Sequence, residues 1–454
     1  MMNWLGLRVH FVGIGGSGMS GIAKVMVARG AKVSGSDLHE TSTLDGLRSM
    51  GMTVFTGHDA AHVNEVDLVV RSSAISDANV ELVKPRAEGI EVLGRAEALS
   101  RLLIGKTSVA IAGTHGKTTT TSMLTVALQS CGLDPSFAIG ASLRNFGTNA
   151  HHGSGEIFVV EADESDGSFT SYQPNGAIIT NIELDHVDNF KDLASIDSLF
   201  EDFVRTIKNH LVICIDDEGS RRLLKKIGNS KLEILTYGTS GDPDLLLDRI
   251  YLGPRDSKAR LVFRGKVWGE LELVIPGRHN LLNAAAAIAM GHQLGAPYQA
   301  LMTGLSKFTG ARRRFEIRGS SKGVTVIDDY GHHPTEVRAT LETARNFAGA
   351  GRVLVIFQPH RFSRTAVFAE EFATELARAD HTYLLEIYPA SESPIPGITS
   401  GVIASKMSAG SVTYEPSMPE VIAKVINEAK SGDVVLTLGA GDVSSLAPLI
   451  VENL

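Results

Sequence analysis

The sequence predicts an α/β protein of three domains. Three observations carry that reading. The chain has 454 residues, more than one ordinary core accommodates, and about 150 residues per domain gives roughly three. Short β-rich runs alternate with helix-like stretches along most of it. Two glycine-rich turns, each between a strand-like run and a helix start, lie about a hundred positions apart, the spacing of separate domains.

The first domain is expected at residues 1–105. From Arg8 to Glu97 the runs "RVHFVGIG", "AKVSGSD", "MTVFTG", "DLVVRSS" and "IEVLGR" alternate with helical stretches, as in a parallel sheet with crossover helices. The second, 106–311, opens with "TSVAIAG" and continues through "EIFVVEAD", "GAIITN" and "HLVICID". Between Leu245 and Ile275 the rhythm tightens to "LLLDRIYLG", "ARLVFRG" and "KVWGELELVI", predicting a small antiparallel addition. "RHNLLNAAAAIAMGHQLG" is an alanine-rich helix stopped by a glycine. In the third domain, 312–454, strands "VTVIDDY", "RVLVIFQ", "TYLLEI", "VTYE" and "DVVLTLGAG" are separated by helices such as "AVFAEEFATELARA".

Composition narrows the function classes. With 43% hydrophobic residues, 21% charged residues and 46 glycines, the chain is that of a globular protein rich in turns. A net charge of −8 gives no general attraction to nucleic acid or to anionic membranes. Cys131 and Cys214 are too few for a disulfide framework and lack metal-ligand spacing, so both are expected to be buried small hydrophobes in a reducing compartment. The opening "MMNWLGLRVHFVGIGG" lacks the parts of an export signal, and no apolar run is long enough to span a bilayer. A cytoplasmic protein, monomeric or homodimeric and without membrane insertion, is expected.

In the first glycine turn, Gly13, Gly15 and Gly18 fit G-x-G-x-x-G, and Asp37 follows 24 positions after Gly13 where a ribose-binding acid is expected. A nicotinamide dinucleotide, another diphosphate-linked nucleotide, or a tight turn with no ligand all satisfy that pattern. The second turn carries Gly113, Gly116, Lys117 and Thr118, with Ile111 where the first glycine of a P-loop belongs. Its working parts are present: amides at a helix start, a lysine for the β- and γ-phosphates and a hydroxyl for Mg²⁺. Four successive threonines are poor helix formers, and their place at a helix start favours function. Glu161 and His186 fall at strand carboxyl ends, where ligands bind parallel sheets. Thr118 and Glu161 suit one Mg²⁺ ion, whereas His186 is a less typical ligand. Asp163, Glu164, Asp166 and Asp185, taken singly, are expected to be solvated loop carboxylates. The arginines 312–314, by themselves, are expected on a solvated charged face.

"GTHGKTTTT", "EADESD" and "NIELDHVD", in that order, resemble the central domain of the bacterial Mur ligases, which build the cell-wall peptide. "HFVGIGGSGMSGIA", "GRHNLLNAAAAIA", "GARRRFE", "DDYGHHPTEV" and "FQPHRFSRT" extend the resemblance over essentially the whole chain, toward the alanine-adding branch. It implies a Rossmann-like first domain, a P-loop ATPase-like central domain and a Rossmann-like third domain that closes over the second. The implied reaction is ATP-dependent ligation of L-alanine to the lactyl carboxylate of UDP-N-acetylmuramate through an acyl phosphate, so that two turns serve two nucleotides.

By the same resemblance Gly15, Gly16, Ser17, Gly18, Asp37 and Ser73 bind the UDP-sugar. ATP falls to Gly113, Thr114, His115, Gly116, Lys117, Thr118 and Thr119, with Asn283 and His279 toward adenine, Arg314 on the γ-phosphate and Asp329 on the ribose. Thr118 and Glu161 hold one Mg²⁺ and His186 a second. Lys117, His186 and Arg314 are the implied catalytic residues, and no general base stands out. "SIDSLFEDFV" has no lysine where several sister ligases carry a carbamylated one, which fits the alanine-adding branch. Tyr330, His332, His360, Arg361 and Arg364 surround the amino acid, arginines suiting its free carboxylate. The bland alternatives are that Pro334 starts a helix which the histidines cap, and that "FQPHRFSRT" is a surface loop. Rival functions are a recycling ligase that adds a tripeptide to the same sugar nucleotide, an NAD-dependent oxidoreductase, and a non-catalytic nucleotide switch.

Overall fold

A computed structural model describes residues 3–228 and 230–454. Every β-rich run quoted above forms a strand. By internal contacts the chain divides into two units: Met1–Ile182, Asp197–Leu246 and Asn283–Leu305 form the first, and Glu183–Ile196, Leu247–Leu282 and Ser306–Leu454 the second.

The first unit holds two sheets. In one, β1 (Arg8–Val12), β2 (Lys32–Asp37), β3 (Thr53–Thr56), β4 (Leu68–Arg71) and β5 (Glu91–Gly94) lie in the order β3-β2-β1-β4-β5, all parallel. Strand order reverses between β1 and β4, and the crevice beyond their carboxyl ends is where such sheets bind ligands. The helix Ser17–Ala28 leaves β1 there and turns Met19, Ile22, Val25 and Met26 into the core.

The other sheet is built from β6 (Thr107–Ala112), β7 (Ser136–Ala138), β8 (Ala150–His151), β9 (Ile157–Glu161), β10 (Gly176–Ile179), β11 (His210–Cys214) and β12 (Glu233–Gly238). β6 lies between β9 and β10, parallel to both, and Val109 to Ala112 are wholly buried. A strand covered on both faces is a continuous apolar run, which "VAIA" is. β13 (Leu245–Leu252) starts parallel to β12, at Tyr237↔Leu245 and Gly238↔Leu246.

The second unit contains the expected antiparallel hairpin, β14 (Ser257–Phe263) against β15 (Lys266–Leu273), with a register shift at Leu261/Val262. Its main sheet comprises β16 (Glu316–Ser321), β17 (Val324–Asp329), β18 (Val353–Phe357), β19 (His381–Leu384), β20 (Val412–Tyr414) and β21 (Val434–Leu438), in the order β16-β17-β21-β18-β19-β20. All neighbours are parallel except β16, which runs antiparallel to β17. The helices Pro334–Ala348 and Phe362–Leu376 bury Val337, Leu341, Phe368 and Phe372 against one face. Val421, Val425, Leu446 and Ile450 cover the other.

β7, β8, β12 and β16 are additions to the sequence reading. The first two span three and two residues, too short for periodicity, and "EIRGSS" of β16 combines a glycine with exposed polar residues. Cys214 is buried as expected, but Cys131, just past the helix Lys117–Ser130, is partly exposed. Among the described residues no helix is long and apolar enough to cross a membrane.

Candidate active site

The lysine-bearing turn joins β6 to the helix Lys117–Ser130. Gly113 and Gly116 hold φ of +130° and +82°, a region that L side chains rarely occupy. A β-carbon on Gly113 would also collide with Thr180 Oγ1. The turn is clamped from the end of β10: Thr114 N–H donates to Asn181 O at 3.0 Å, His115 N–H to Asn181 Oδ1 at 2.8 Å, and Thr180 Oγ1 to His115 O at 2.6 Å. Asn283, 7% exposed on the helix Arg278–Gln293, lies so near that a β-carbon on Gly116 would sit 2.8 Å from its Oδ1.

Lys117 Nζ donates to Gly113 O at 2.7 Å, Thr114 O at 3.1 Å and Glu164 Oε1 at 2.9 Å. Burial opposes its charge, but Glu164, Asp163 and Glu161 together raise its pKa above the ordinary lysine value. Thr118 Oγ1 donates to Glu161 Oε1 at 2.9 Å, and Gly140 N–H donates to Glu161 Oε2 at 2.8 Å. A hydroxyl beside a carboxylate is an all-oxygen donor pair, the chemistry Mg²⁺ prefers, so these two residues fit the ion. Thr119, 7% exposed, and Thr120 and Thr121, both 0% exposed, are packed inward and hold the helix start in place. Glu164 corrects the reading of it as a solvated carboxylate: it is 1% exposed, drawn inward by Lys117. Asp163 is half-buried and Asp166 is exposed.

The first glycine turn is fastened to the neighbouring strand. Gly13 and Ile14 N–H both donate to Ser36 O, at 2.9 and 3.0 Å, and Gly15 N–H donates to Asp37 Oδ2 at 2.9 Å. Asp37 is thus brought to the turn as its spacing predicted. Gly16 and Ser17 open the helix on its exposed side, Gly18 follows half-buried, and Ser73 beyond β4 is exposed. Asn149, 5% exposed, reaches the same helix start, donating from Nδ2 to Ser17 O at 2.8 Å and accepting from Lys24 Nζ at 2.7 Å.

In the second unit Arg313 and Phe315 have positive φ, +58° and +47°, around Arg314. Asp329, 6% exposed, anchors that turn: Phe315 N–H donates to Oδ2 at 2.7 Å, while Gly331 N–H and Thr340 Oγ1 donate to Oδ1 at 2.8 and 3.1 Å. Burial raises its pKa, with Arg314 opposing. Arg314 Nη1 lies 3.4 Å from Glu336 Oε1, and its guanidinium is 5.1 Å from the Tyr330 ring centroid. Arg313 approaches the same ring at 4.8 Å and donates to Gly439 O at 2.6 Å. Of the three arginines only Arg312 is exposed, so the charged-face reading fails for the other two because Tyr330, Glu336 and backbone carbonyls hold them. His279 is partly buried near Arg314, and desolvation followed by that charge lowers its pKa to about 4.

Tyr330, His332, His360, Arg361 and Arg364 are brought together. The His332 ring lies 5.1 Å from Tyr330 and 5.6 Å from His360, and His360 stacks on Tyr388 at 5.7 Å. Arg364, 2% exposed, sends Nε and Nη2 to Asp185 Oδ1 at 2.9 and 2.7 Å and places Nη1 3.1 Å from His360 Nδ1. Asp185 is therefore no solvated loop carboxylate; despite burial, Arg364 drives its pKa far down. "FQPHRFSRT" is likewise not a plain surface loop, since Arg364 faces the interior. Arg361 pairs with Asp188 and lies 3.7 Å from Glu392 Oε1. Burial lowers His332 to about 3 and His360 to about 2, leaving both imidazoles neutral near pH 7. The bland reading of the preceding motif is partly right: Pro334 opens a helix, and His333 caps it through Thr335 N–H. His186, at φ +50°, belongs to this second unit, whereas Thr118 and Glu161 belong to the first.

Asn149, Asn181, Glu336 and Tyr388 were not anticipated. Each is a single polar or aromatic residue whose partner is remote in sequence.

Comparison with known proteins finds matches along nearly the whole chain. The family models "Mur ligase family, catalytic domain", "Mur ligase middle domain" and "Mur ligase, glutamate ligase domain" match residues 8–107, 111–291 and 313–441. The chain is 48% identical over 450 residues to a UDP-N-acetylmuramate–L-alanine ligase of Paenarthrobacter aurescens, covering 98% of this chain and 97% of that one. It is 46% identical over 452 residues to one of Acidothermus cellulolyticus, covering 98% and 95%. The structure of a UDP-N-acetylmuramate-alanine ligase from Thermotoga maritima superposes with a TM-score of 0.84 at 31% identity, covering 98% of each chain. A murein peptide ligase from Psychrobacter arcticus gives 0.73 at 26%, covering 99% and 98%. Family models over most of its length, and relatives nearly half identical from end to end, establish that this three-domain α/β chain belongs to the Mur ligase family.

Proposed function

We propose that this chain joins L-alanine to the lactyl carboxylate of UDP-N-acetylmuramate at the expense of ATP, in the supply of peptidoglycan precursors. The carrying observation is the pair of glycine turns on separate sheets, each leaving a strand flanked by parallel neighbours, one with a largely buried, charged lysine and one without. An oxidoreductase built on the first turn leaves Lys117, Thr118 and Glu161 without a task. The functional division at 1–105, 106–311 and 312–454 forms part of this proposal, and the use of ATP places the reaction in the cytoplasm.

A carboxylate resists attack by an amine because it is anionic and resonance-stabilised. Transfer of the γ-phosphoryl group to one carboxylate oxygen gives an acyl phosphate. The alanine amine then attacks its carbonyl carbon, and the resulting tetrahedral intermediate expels phosphate and loses the amine proton. Products are UDP-N-acetylmuramoyl-L-alanine, ADP and phosphate. Phosphoryl transfer asks the protein chiefly for positioning and charge neutralisation. Lys117 and the amides of residues 113–119 supply these around the phosphates, and Arg314 is assigned to the γ-phosphate. Thr118 and Glu161 would hold a Mg²⁺ ion, which neutralises phosphate charge when bound, and His186 is assigned to a second. Asn283 and His279 are placed toward adenine and Asp329 toward the ribose; Gly15, Gly16, Ser17, Gly18, Asp37 and Ser73 are placed on the UDP-sugar. Tyr330, His332, His360, Arg361 and Arg364 are placed around the amino acid. Arg361 presents its guanidinium to the alanine carboxylate, and Arg364, fixed by Asp185, orients His360.

The test is phosphate release from ATP and Mg²⁺ with UDP-N-acetylmuramate, comparing L-alanine with a cell-wall tripeptide and weighing the products by mass. Alanine-dependent release with the amide product is expected. Release only with tripeptide identifies a recycling ligase, and release with neither amine ends the ligase reading.

A further inference from the structure

We propose that Arg95 binds the diphosphate of the sugar nucleotide, a cation that the glycine motif itself does not announce. This rests on the preceding reading of the first turn as the UDP-sugar site. Arg95 follows β5 as the first residue of the helix Arg95–Leu103. It therefore stands at the carboxyl edge of the sheet, the same edge at which β1 delivers the turn. The third glycine of G-x-G-x-x-G commonly allows a helix to approach a strand; here Gly18 makes room for Arg95. A β-carbon at Gly18 would lie 3.2 Å from Arg95 Cδ, 3.6 Å from Nη1 and 3.9 Å from Nε, so the end of the Arg95 side chain lies against the first turn of the helix Ser17–Ala28.

That location is positive twice over, because the helix start contributes its own amides and partial charge. Two positive features in contact repel unless an anion joins them. Asp163 lies 3.5 Å from Arg95 Nη2 with the Arg95 side chain 15% exposed. Burial opposes the charge of Arg95, while Tyr172, Asp163 and Asp166 more than restore it. An ion pair of 3.5 Å to a half-exposed aspartate and a hydrogen bond with Tyr172 use only part of a five-donor fork. A planar fork matches a phosphate through two parallel hydrogen bonds, which a lysine cannot reproduce.

The experiment uses the full chain and three variants, Arg95→Met, Arg95→Lys and Asp163→Asn. Dissociation constants of UDP and of uridine are measured by direct calorimetric titration, beside KM for each substrate and the melting temperature. With Arg95→Met, UDP affinity should fall about ten- to a hundredfold, the range for losing a charge-assisted hydrogen-bonded pair, and uridine affinity and KM for L-alanine should hold. Arg95→Lys should recover part of the loss and Asp163→Asn should keep most UDP affinity. Equal losses for UDP and uridine would show that Arg95 merely shapes the turn, and unchanged UDP affinity in both Arg95 variants would equally overturn the proposal. Failure of the wild-type chain to turn over UDP-N-acetylmuramate sinks the functional reading instead, because UDP binding is measured separately.

Discussion

Replacing Lys117 by methionine should damage the protein in two separable ways. Its ammonium is the cation against Glu164, which is 1% exposed, at 2.9 Å. Removing one member of a buried pair leaves the other charge uncompensated and costs about 3–5 kcal/mol. At roughly 2–4 °C per kcal/mol for a unit of this size, melting should fall by roughly 6–20 °C. The second effect is chemical: loss of one charge aimed at the transferring phosphate should lower kcat about 10²–10³-fold. Lys117→Met/Glu164→Gln separates them, since removing both charges of a buried pair is often near neutral for stability. The double variant should melt close to the wild type and remain as inactive as the single one. Thermal melts and phosphate-release assays on the four members of the cycle provide the readings. Recovery of turnover along with stability would refute the assignment of Lys117 to the phosphate, because a lysine serving only Glu164 becomes dispensable once Glu164 is neutral.

Gly113→Ala forces an L side chain into φ +130° and against Thr180, strain of about 1–3 kcal/mol. Calorimetry should find nucleoside triphosphate binding about ten- to a hundredfold weaker and UDP binding, assigned to the other sheet, intact; parallel losses would contradict that independence. Burial lowers His279, His332 and His360 to about 4, 3 and 2, against about 6.5 when unfolded. Between those values the unfolded chain binds the protons and the folded chain does not. Stability should therefore decline as pH falls below about 6.5, by about 1.4 kcal/mol per pH unit for each histidine. Melts at pH 7 and 5.5 check this, and His332→Asn should flatten the slope by one proton's worth; a melting temperature unchanged over that interval contradicts neutral burial. Arg361→Ala should raise KM for L-alanine at least tenfold, the scale for a lost charge-assisted pair, with KM for ATP nearly unchanged. Equal rises would remove Arg361 from the amino-acid site.

How much of this was legible in the sequence depends on the distance over which each feature is encoded. The two glycine turns are local objects: a strand, a positive-φ glycine and a helix start lie within a dozen residues, so their geometry survives reading in one dimension. The antiparallel hairpin was legible for the same reason. β16 was not, because its place beside β17 is fixed by pairing rather than by an apolar pattern of its own.

Carboxylates show the opposite case. Within "EADESD" nothing periodic distinguishes Glu164, which is buried, from Asp166, which is exposed; Lys117, 47 positions earlier, makes the difference. Asp185 owes its burial to Arg364, 179 positions later, and "GRAEALSRLL" gives no hint that its arginine lies over a glycine of the opening turn. A buried charge is tolerable only beside its partner, so its position is a property of the folded chain. Residues that form a glycine turn between a strand and a helix can accordingly be picked out before the structure is known. The ionised side chains held by partners remote in sequence, Glu164, Asp185 and Arg95, become visible only after it, because each is placed by a contact that the local pattern does not encode.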